Sequence, residues 1–150
     1  MLVHRLCRAA HRALDGEGAS LAGGRWNTPG RPAVYTSLHL SLAALEYLIH
    51  LEVRRAPPDL VALTIEIPDR PVSSLDPAAL PAHWNRIPDH PWCTAYGDDW
   101  IAKGGTLSLR VPSAIVPEEY NLILNPTHSG FAGVRVVAER PFSFDPRLLK

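Results

Sequence analysis

Lysine is nearly missing from this chain: only Lys103 and Lys150 occur, so arginine supplies almost all of the 15 basic charges that balance 15 acidic ones. The formal net charge is zero and no block of like charge appears. Both facts argue against a polyanion-binding protein driven by counterion release, and direct nucleic-acid contact is not expected. The arginine skew suits bidentate phosphate recognition, yet GC-rich coding also favours it, so it decides little. Cysteine is limited to Cys7 and Cys93 with no CxxC spacing, which leaves neither a disulfide framework nor a paired-thiol zinc site. No apolar run approaches the roughly 20 residues of a membrane helix, and the opening "MLVHRLCRAAHRALDGEG" is no secretory h-region. The expectation is a cytoplasmic protein with reduced thiols and no membrane contact. GxxxxGK(S/T), GxGxxG, HExxH and GxSxG are all missing, so the chain carries none of the usual signatures of P-loop, Rossmann, zincin or α/β-hydrolase sites.

What is present is punctuation. Fifteen prolines and ten glycines cut 150 residues, 46% of them hydrophobic, into short elements of one expected domain, 1–150. "LVHRLC", Leu2 to Cys7, alternates as an opening strand. Ala9 to Pro32 reads as one long loop. Ala33 to Ser37 reads as a short buried strand, with Ser37 as N-cap of the clearest helix, "LHLSLAALEYLIHLEVRR". On that helix Leu38, Leu42, Leu45 and Ile49 form one apolar stripe, and Leu40, Ala44, Leu48 and Leu51 a second, which predicts a largely buried helix. His39, Glu46, His50 and Arg54 share the narrow polar sector and face water or a cleft. A strand is expected over Leu60 to Ile67, an irregular stretch over Pro68 to Pro91 with a helical turn near Asp76 to Leu80, and a helix from Pro91 to Gly104 or Gly105. "TLSLRV", "YNLIL" and "GVRVVAERPFSF" complete an α+β domain.

Three places carry the candidate chemistry. The loop "GGRWNTPG" has two readings. In one it is a wide turn with Trp26 plugging the core. In the other it is an anion site, where Gly23 and Gly24 admit a ligand and Arg25 forks onto its phosphate or carboxylate. Glu46 is either a surface partner of His50 and Arg54 or a cleft carboxylate that steadies a developing cation. Glu46 and His50 stand one helical turn apart, but no third ligand follows and no metal is expected. Ser113 is either a turn residue or a nucleophile with His128 as base, and no elbow motif surrounds it.

The block "DGEGASLAGGRWNTPGRPAVYTSLHLSLAALEYLIHL", followed in order by "LRVPSAIVPEEYNLILNPTH", resembles the RES domain family, the toxins of RES-Xre toxin-antitoxin pairs, from about Leu2 to Phe144. The resemblance implies a compact mixed sheet with flanking helices, similar to the diphtheria-toxin-like ADP-ribosyltransferase fold. It implies NAD as substrate, with cleavage of the nicotinamide-ribose bond by phosphorolysis or hydrolysis and growth arrest by NAD depletion. No further cofactor is implied, and inorganic phosphate would be a co-substrate. Transfer of ADP-ribose to a protein, or nucleotide and antitoxin binding without turnover, are the alternatives. Carried over by motif, Arg25, Glu46 and Ser113 are the catalytic residues, and Arg5, Tyr35, Asn125 and Trp26 bind substrate, with Arg8 close enough to compete with Arg5. Arg25 and Arg5 would clamp the pyrophosphate, and Tyr35 would stack on the nicotinamide or cap the ribose. Glu46 would face the nascent ribosyl cation, while Ser113 and Asn125 would fix orientation. The implied partners are an Xre-like helix-turn-helix antitoxin, which blocks the pocket entrance and carries the DNA contact, and a second copy of the chain in a homodimer within a larger complex.

Overall fold

A computed structural model of the protein describes residues 1–51 and 55–150. Its strands are β1 (Leu2–Arg8), β2 (Val34–Ser37), β3 (Leu60–Glu66), β4 (Val72–Ser74), β5 (Ser108–Pro112), β6 (Tyr120–Leu124) and β7 (Arg135–Pro141). They form one seven-stranded sheet in the order β4-β5-β6-β2-β1-β3-β7, parallel at β4-β5 and antiparallel at every other joint. The six strands expected from the sequence are all there, their ends offset by no more than three residues. β4 falls in the stretch expected to be irregular, because three residues between prolines and serines are too few to show a period.

One joint differs from the rest. β1 pairs with β3 along its whole length, from Leu2↔Glu66 to Arg8↔Leu60, whereas β1 meets β2 at the single register pair His4↔Ser37. With the ladder reduced to one pair, the sheet parts there, and residues of both strands line one cleft.

Alternation along the strands divides the core. Val3, Cys7, Val34, Leu63, Ile65, Leu122 and Leu124 share one cluster. Leu109, Val111 and Ile123 instead meet helix α3 (Pro91–Lys103) through Cys93, Trp100 and Ile101, with Trp26 among them. α3 opens with Pro91 in its first turn and closes on Gly104 in the left-handed region, as its sequence predicts.

Two expectations need correction. The Ala9–Pro32 loop contains a 3-10 turn at Ala9–His11 and a short helix, α1 (Glu17–Ala22), which six residues are too few to announce by periodicity. The long helix is also shorter: α2 spans Leu40–Leu48 and its N-cap is His39, not Ser37. Ser37 instead ends β2 and donates its hydroxyl across the sheet to Asn121. The stripe Leu40, Ala44, Leu48 and Leu51 does pack on Leu6, Leu60 and Ala62. The other stripe divides, for Leu42 is buried while Leu45 and Ile49 are 38% and 52% exposed. α2 is therefore half-covered, with one edge on a cleft; Arg54, at the end of the expected helix, lies outside the described residues.

Candidate active site

The cleft at the β1-β2 joint has a volume of about 720 Å³. Arg5, Arg25, Trp26, Tyr35, Glu46, His50, Asp89 and Asn121 are among the residues that line it. Arg25 and Glu46, far apart in sequence, thus share one cavity.

Glu46 comes from α2 and is gripped from the sheet. The Ser113 hydroxyl donates to its Oε1 at 2.8 Å, and the Asn121 side-chain amide donates to the same oxygen. Ser113 is fully buried at the end of β5, where its Oγ also accepts the backbone N–H groups of Ile115 (3.1 Å) and Val116 (3.2 Å). Two N–H donors occupy both lone pairs of that oxygen, so its one proton goes to Glu46. Ser113 is at once the turn residue and a partner of the carboxylate, and it has no lone pair aimed at a substrate. His128 does not touch it: His128 Nδ1 accepts Gly130 N–H and starts a 3-10 turn at Ser129–Gly133.

Arg25 is held differently. Its Nη1 donates to the carbonyls of Trp84 (2.7 Å) and Arg86 (3.3 Å), and its Nη2 pairs with Asp89 at 3.1 Å. The side chain is only 15% exposed. Beside it Trp26 enters the core, its ring 6.2 Å from Trp84 and 6.4 Å from Tyr96. Of the two readings of "GGRWNTPG", the turn is what these contacts show; Arg25 lines the cleft, but its contacts are to two carbonyls and Asp89 of the protein itself. Trp26 plugs the core as a turn residue would, while Arg25 uses the same backbone to fasten the segment 84–89 onto the cleft.

The loop is built tightly to do this. Asn27 is buried and its amide donates to the carbonyls of Ala19, Thr28 and Arg31, while its Oδ1 accepts the Tyr35 hydroxyl at 2.7 Å. Asp98 of α3 accepts both Thr28 N–H and Thr28 Oγ1. A Cβ on Gly97 would come within 1.8 Å of the Trp26 carbonyl oxygen, so only glycine lets α3 lie against this backbone. Gly24 likewise sits against the Tyr35 ring, 2.7 Å from its oxygen to a notional Cβ. The loop's glycines therefore serve internal contacts as well as bordering the cleft.

Tyr35 receives the Trp26 backbone N–H as it donates to Asn27. Burial pushes its phenol well above the ordinary tyrosine value, against the opposing effect of that N–H, so the ring stays neutral. Arg5 borders the cleft, and its guanidinium donates to the carbonyls of His11 (3.2 Å) and Ala13 (3.4 Å). Arg8 does not line the cleft and pairs with Asp59 at 3.0 Å. The two arginines that competed in the sequence are thereby separated.

Asn125 is not brought to the cleft. It is fully buried, its amide donating to the Ile101 carbonyl and its Oδ1 accepting both donors of Thr127. The asparagine at the site is Asn121, which sequence reasoning missed. The signal was a polar residue inside the otherwise apolar "YNLIL", in register with Ser37 of β2. Burial raises the thiols of Cys7 and Cys93 above their usual range, and both are free. Among the described residues no group of three or more His, Cys, Asp or Glu could hold a metal ion.

Comparison with known proteins agrees with this architecture. A family model described as the RES domain matches residues 2–145. The chain is 41% identical to "Toxin Res" of Photorhabdus laumondii, over 100% of this chain and 98% of that protein. It is 36% identical to "Prs ADP-ribosylating toxin" of a Sphingobium species, over 91% and 87% of the two. Among solved structures, the crystal structure of the Mycobacterium tuberculosis MbcT-MbcA toxin-antitoxin complex superposes with a TM-score of 0.77 at 23% identity. That match covers 99% of this chain and 86% of the other and shows that the two chains share a fold. Matched nearly end to end by the family model and by relatives of this identity, the chain belongs to the RES domain family of toxins.

Proposed function

We propose that this toxin consumes NAD, breaking the bond between nicotinamide and ribose with phosphate or water as the acceptor, and arrests growth by draining the NAD pool. The observation that carries the reading is the Glu46 carboxylate on the wall of a large cleft. One oxygen is fastened by Ser113 and Asn121, and the other has no partner among the described residues. When the ribose C1–nitrogen bond breaks, its electron pair passes to the pyridinium nitrogen and positive charge gathers on the sugar, as in glycoside hydrolysis. A fixed anion beside that carbon favours the charged state over the ground state. The acceptor oxygen then bonds C1, and where water is the acceptor its proton leaves to solvent. Arg25 and Arg5 border the same cleft, and a pyrophosphate would take charge-assisted hydrogen bonds from them by exchanging with their present partners, Asp89 among them. NAD is the substrate, and the reaction as written uses no further cofactor.

The name of the Sphingobium relative favours a second reading, in which the acceptor is a protein side chain. One assay separates them. Purified protein is incubated with NAD, with and without phosphate or candidate protein acceptors, while nicotinamide release and protein labelling are followed. Release quickened by phosphate supports phosphorolysis, labelling supports transfer, and NAD that stays intact overturns both. An antitoxin partner is supported by the fold likeness to a chain of a toxin-antitoxin complex, and we take it to be a helix-turn-helix protein of the Xre kind that covers the cleft mouth. A homodimer within that assembly and action in the cytoplasm belong to the same proposal. No helix among the described residues is long and apolar enough to cross a membrane.

A further inference from the structure

Asn121 stands between two hydroxyl-bearing strands and one carboxylate, and its contacts have a direction. The buried Ser37 hydroxyl donates to Asn121 Oδ1 at 2.6 Å, which fixes the oxygen of the amide toward β2. The amide nitrogen is then forced to the other side, where it donates to Glu46 Oε1. The reverse orientation would set the amide oxygen against a carboxylate, an acceptor against an acceptor, so one arrangement satisfies both ends. Ser113, the residue after β5, adds its proton to the same Oε1, and that proton has nowhere else to go. Two donors on one oxygen, each oriented by a further hydrogen bond, set the rotation of the carboxylate and leave Oε2 as the oxygen without a partner among the described residues.

We infer that Asn121 is a positioning residue for Glu46, oriented by Ser37, and that the relay Ser37–Asn121–Glu46 turns Oε2 toward the reacting sugar. The inference rests on the NAD-cleaving reading for its kinetic consequence, though not for its geometry. Asn121 lines the cleft beside Glu46, yet its two polar ends are both engaged within the protein. Substrate binding therefore does not depend on it, and the step that needs an aligned carboxylate does. Small misplacement of a reacting group is enough to cost about 100-fold in rate.

The test is a kinetic split with a spectroscopic control. Asn121→Ala is expected to lower kcat about 100-fold with KM within about twofold, and Asn121→Asp, which turns the donor into an acceptor at constant size, to lower it at least as far. Ser37→Ala, which keeps the donor but frees the amide to turn, should cost about tenfold. Melting temperatures report whether each variant folds. A fall in melting temperature with kcat intact, or KM and kcat changed together, would assign Asn121 to the scaffold and overturn the inference. If the wild-type protein leaves NAD untouched, the NAD reading fails by itself. The relay is then judged by the side-chain amide NMR signals of Asn121. They should move in both Ser37→Ala and Glu46→Gln, and signals unmoved by either substitution would sink it.

Discussion

Glu46 and Arg25 serve one cleft but are held in opposite ways. The carboxylate is fixed by Ser113, just past β5, and Asn121 of β6, both themselves fixed by hydrogen bonds, with one oxygen left over. The guanidinium spends its donors on two backbone carbonyls and the Asp89 carboxylate of the segment 84–89. The first arrangement is complete before any ligand arrives. In the second, a phosphate reaching Arg25 must share it with Asp89 or displace it. On the proposed reading, the carboxylate is preorganised for chemistry, while phosphate binding is conditional on an exchange of partners at Arg25.

The most severe way to break that contrast is at the carboxylate. Glu46→Gln keeps an oxygen to accept from Ser113 and Asn121 and removes only the charge. Turnover of NAD should fall by about 10²-fold or more with the melting temperature nearly unchanged. Full activity in this variant would remove the role assigned to Glu46.

At the guanidinium the effects should be smaller and of two signs. Arg25→Lys replaces a planar fork by a point charge that cannot serve Trp84, Arg86 and Asp89 together. KM for NAD should rise about tenfold, and the segment 84–89 should be cut faster by protease in the absence of ligand. Asp89→Asn removes the competing anion and should lower KM about threefold. If Asp89→Asn instead raises KM as Arg25→Lys does, the ion pair is part of the bound state and the partner exchange is wrong.

The same contrast explains what was legible in the sequence. Six of the seven strands were legible in the sequence, β1 and β3 by alternation and β2 as a short buried run; β4, of three residues, was not. Arg25, Glu46 and Ser113 were reachable through motif resemblance, which fixes residue identity without fixing contacts. What those residues touch was not reachable. Nothing in "GGRWNTPG" says that Arg25 grasps carbonyls some sixty positions away. Asn125 was implied as a substrate-binding residue by the family resemblance alone, whereas its buried amide donates to the Ile101 carbonyl of α3. Asn121, four residues earlier, needed the β2-β6 register to be seen beside Ser37. Long-range hydrogen bonds are set by topology, and topology is what a local pattern omits.

The smallest predicted effect examines whether the carboxylate end is as desolvated as its hydrogen bonds suggest. His4 of β1 faces Ser37 in register and lines the cleft, next to the Ser37–Asn121–Glu46 relay. Burial holds its imidazole below the ordinary value of 6.5, and the charge of His39 adds to the shift. The sign follows from linkage: as pH falls through 6.5 the unfolded chain takes up a proton at this position before the folded one does, so acidification favours unfolding. The wild-type melting temperature should therefore drop more steeply between about pH 7 and pH 5 than that of His4→Gln, by roughly 2 °C over the interval. His39→Gln should recover the smaller part of that difference. Equal slopes in all three proteins would mean that water reaches His4 freely, and that this end of the cleft is no drier than the one Arg25 occupies.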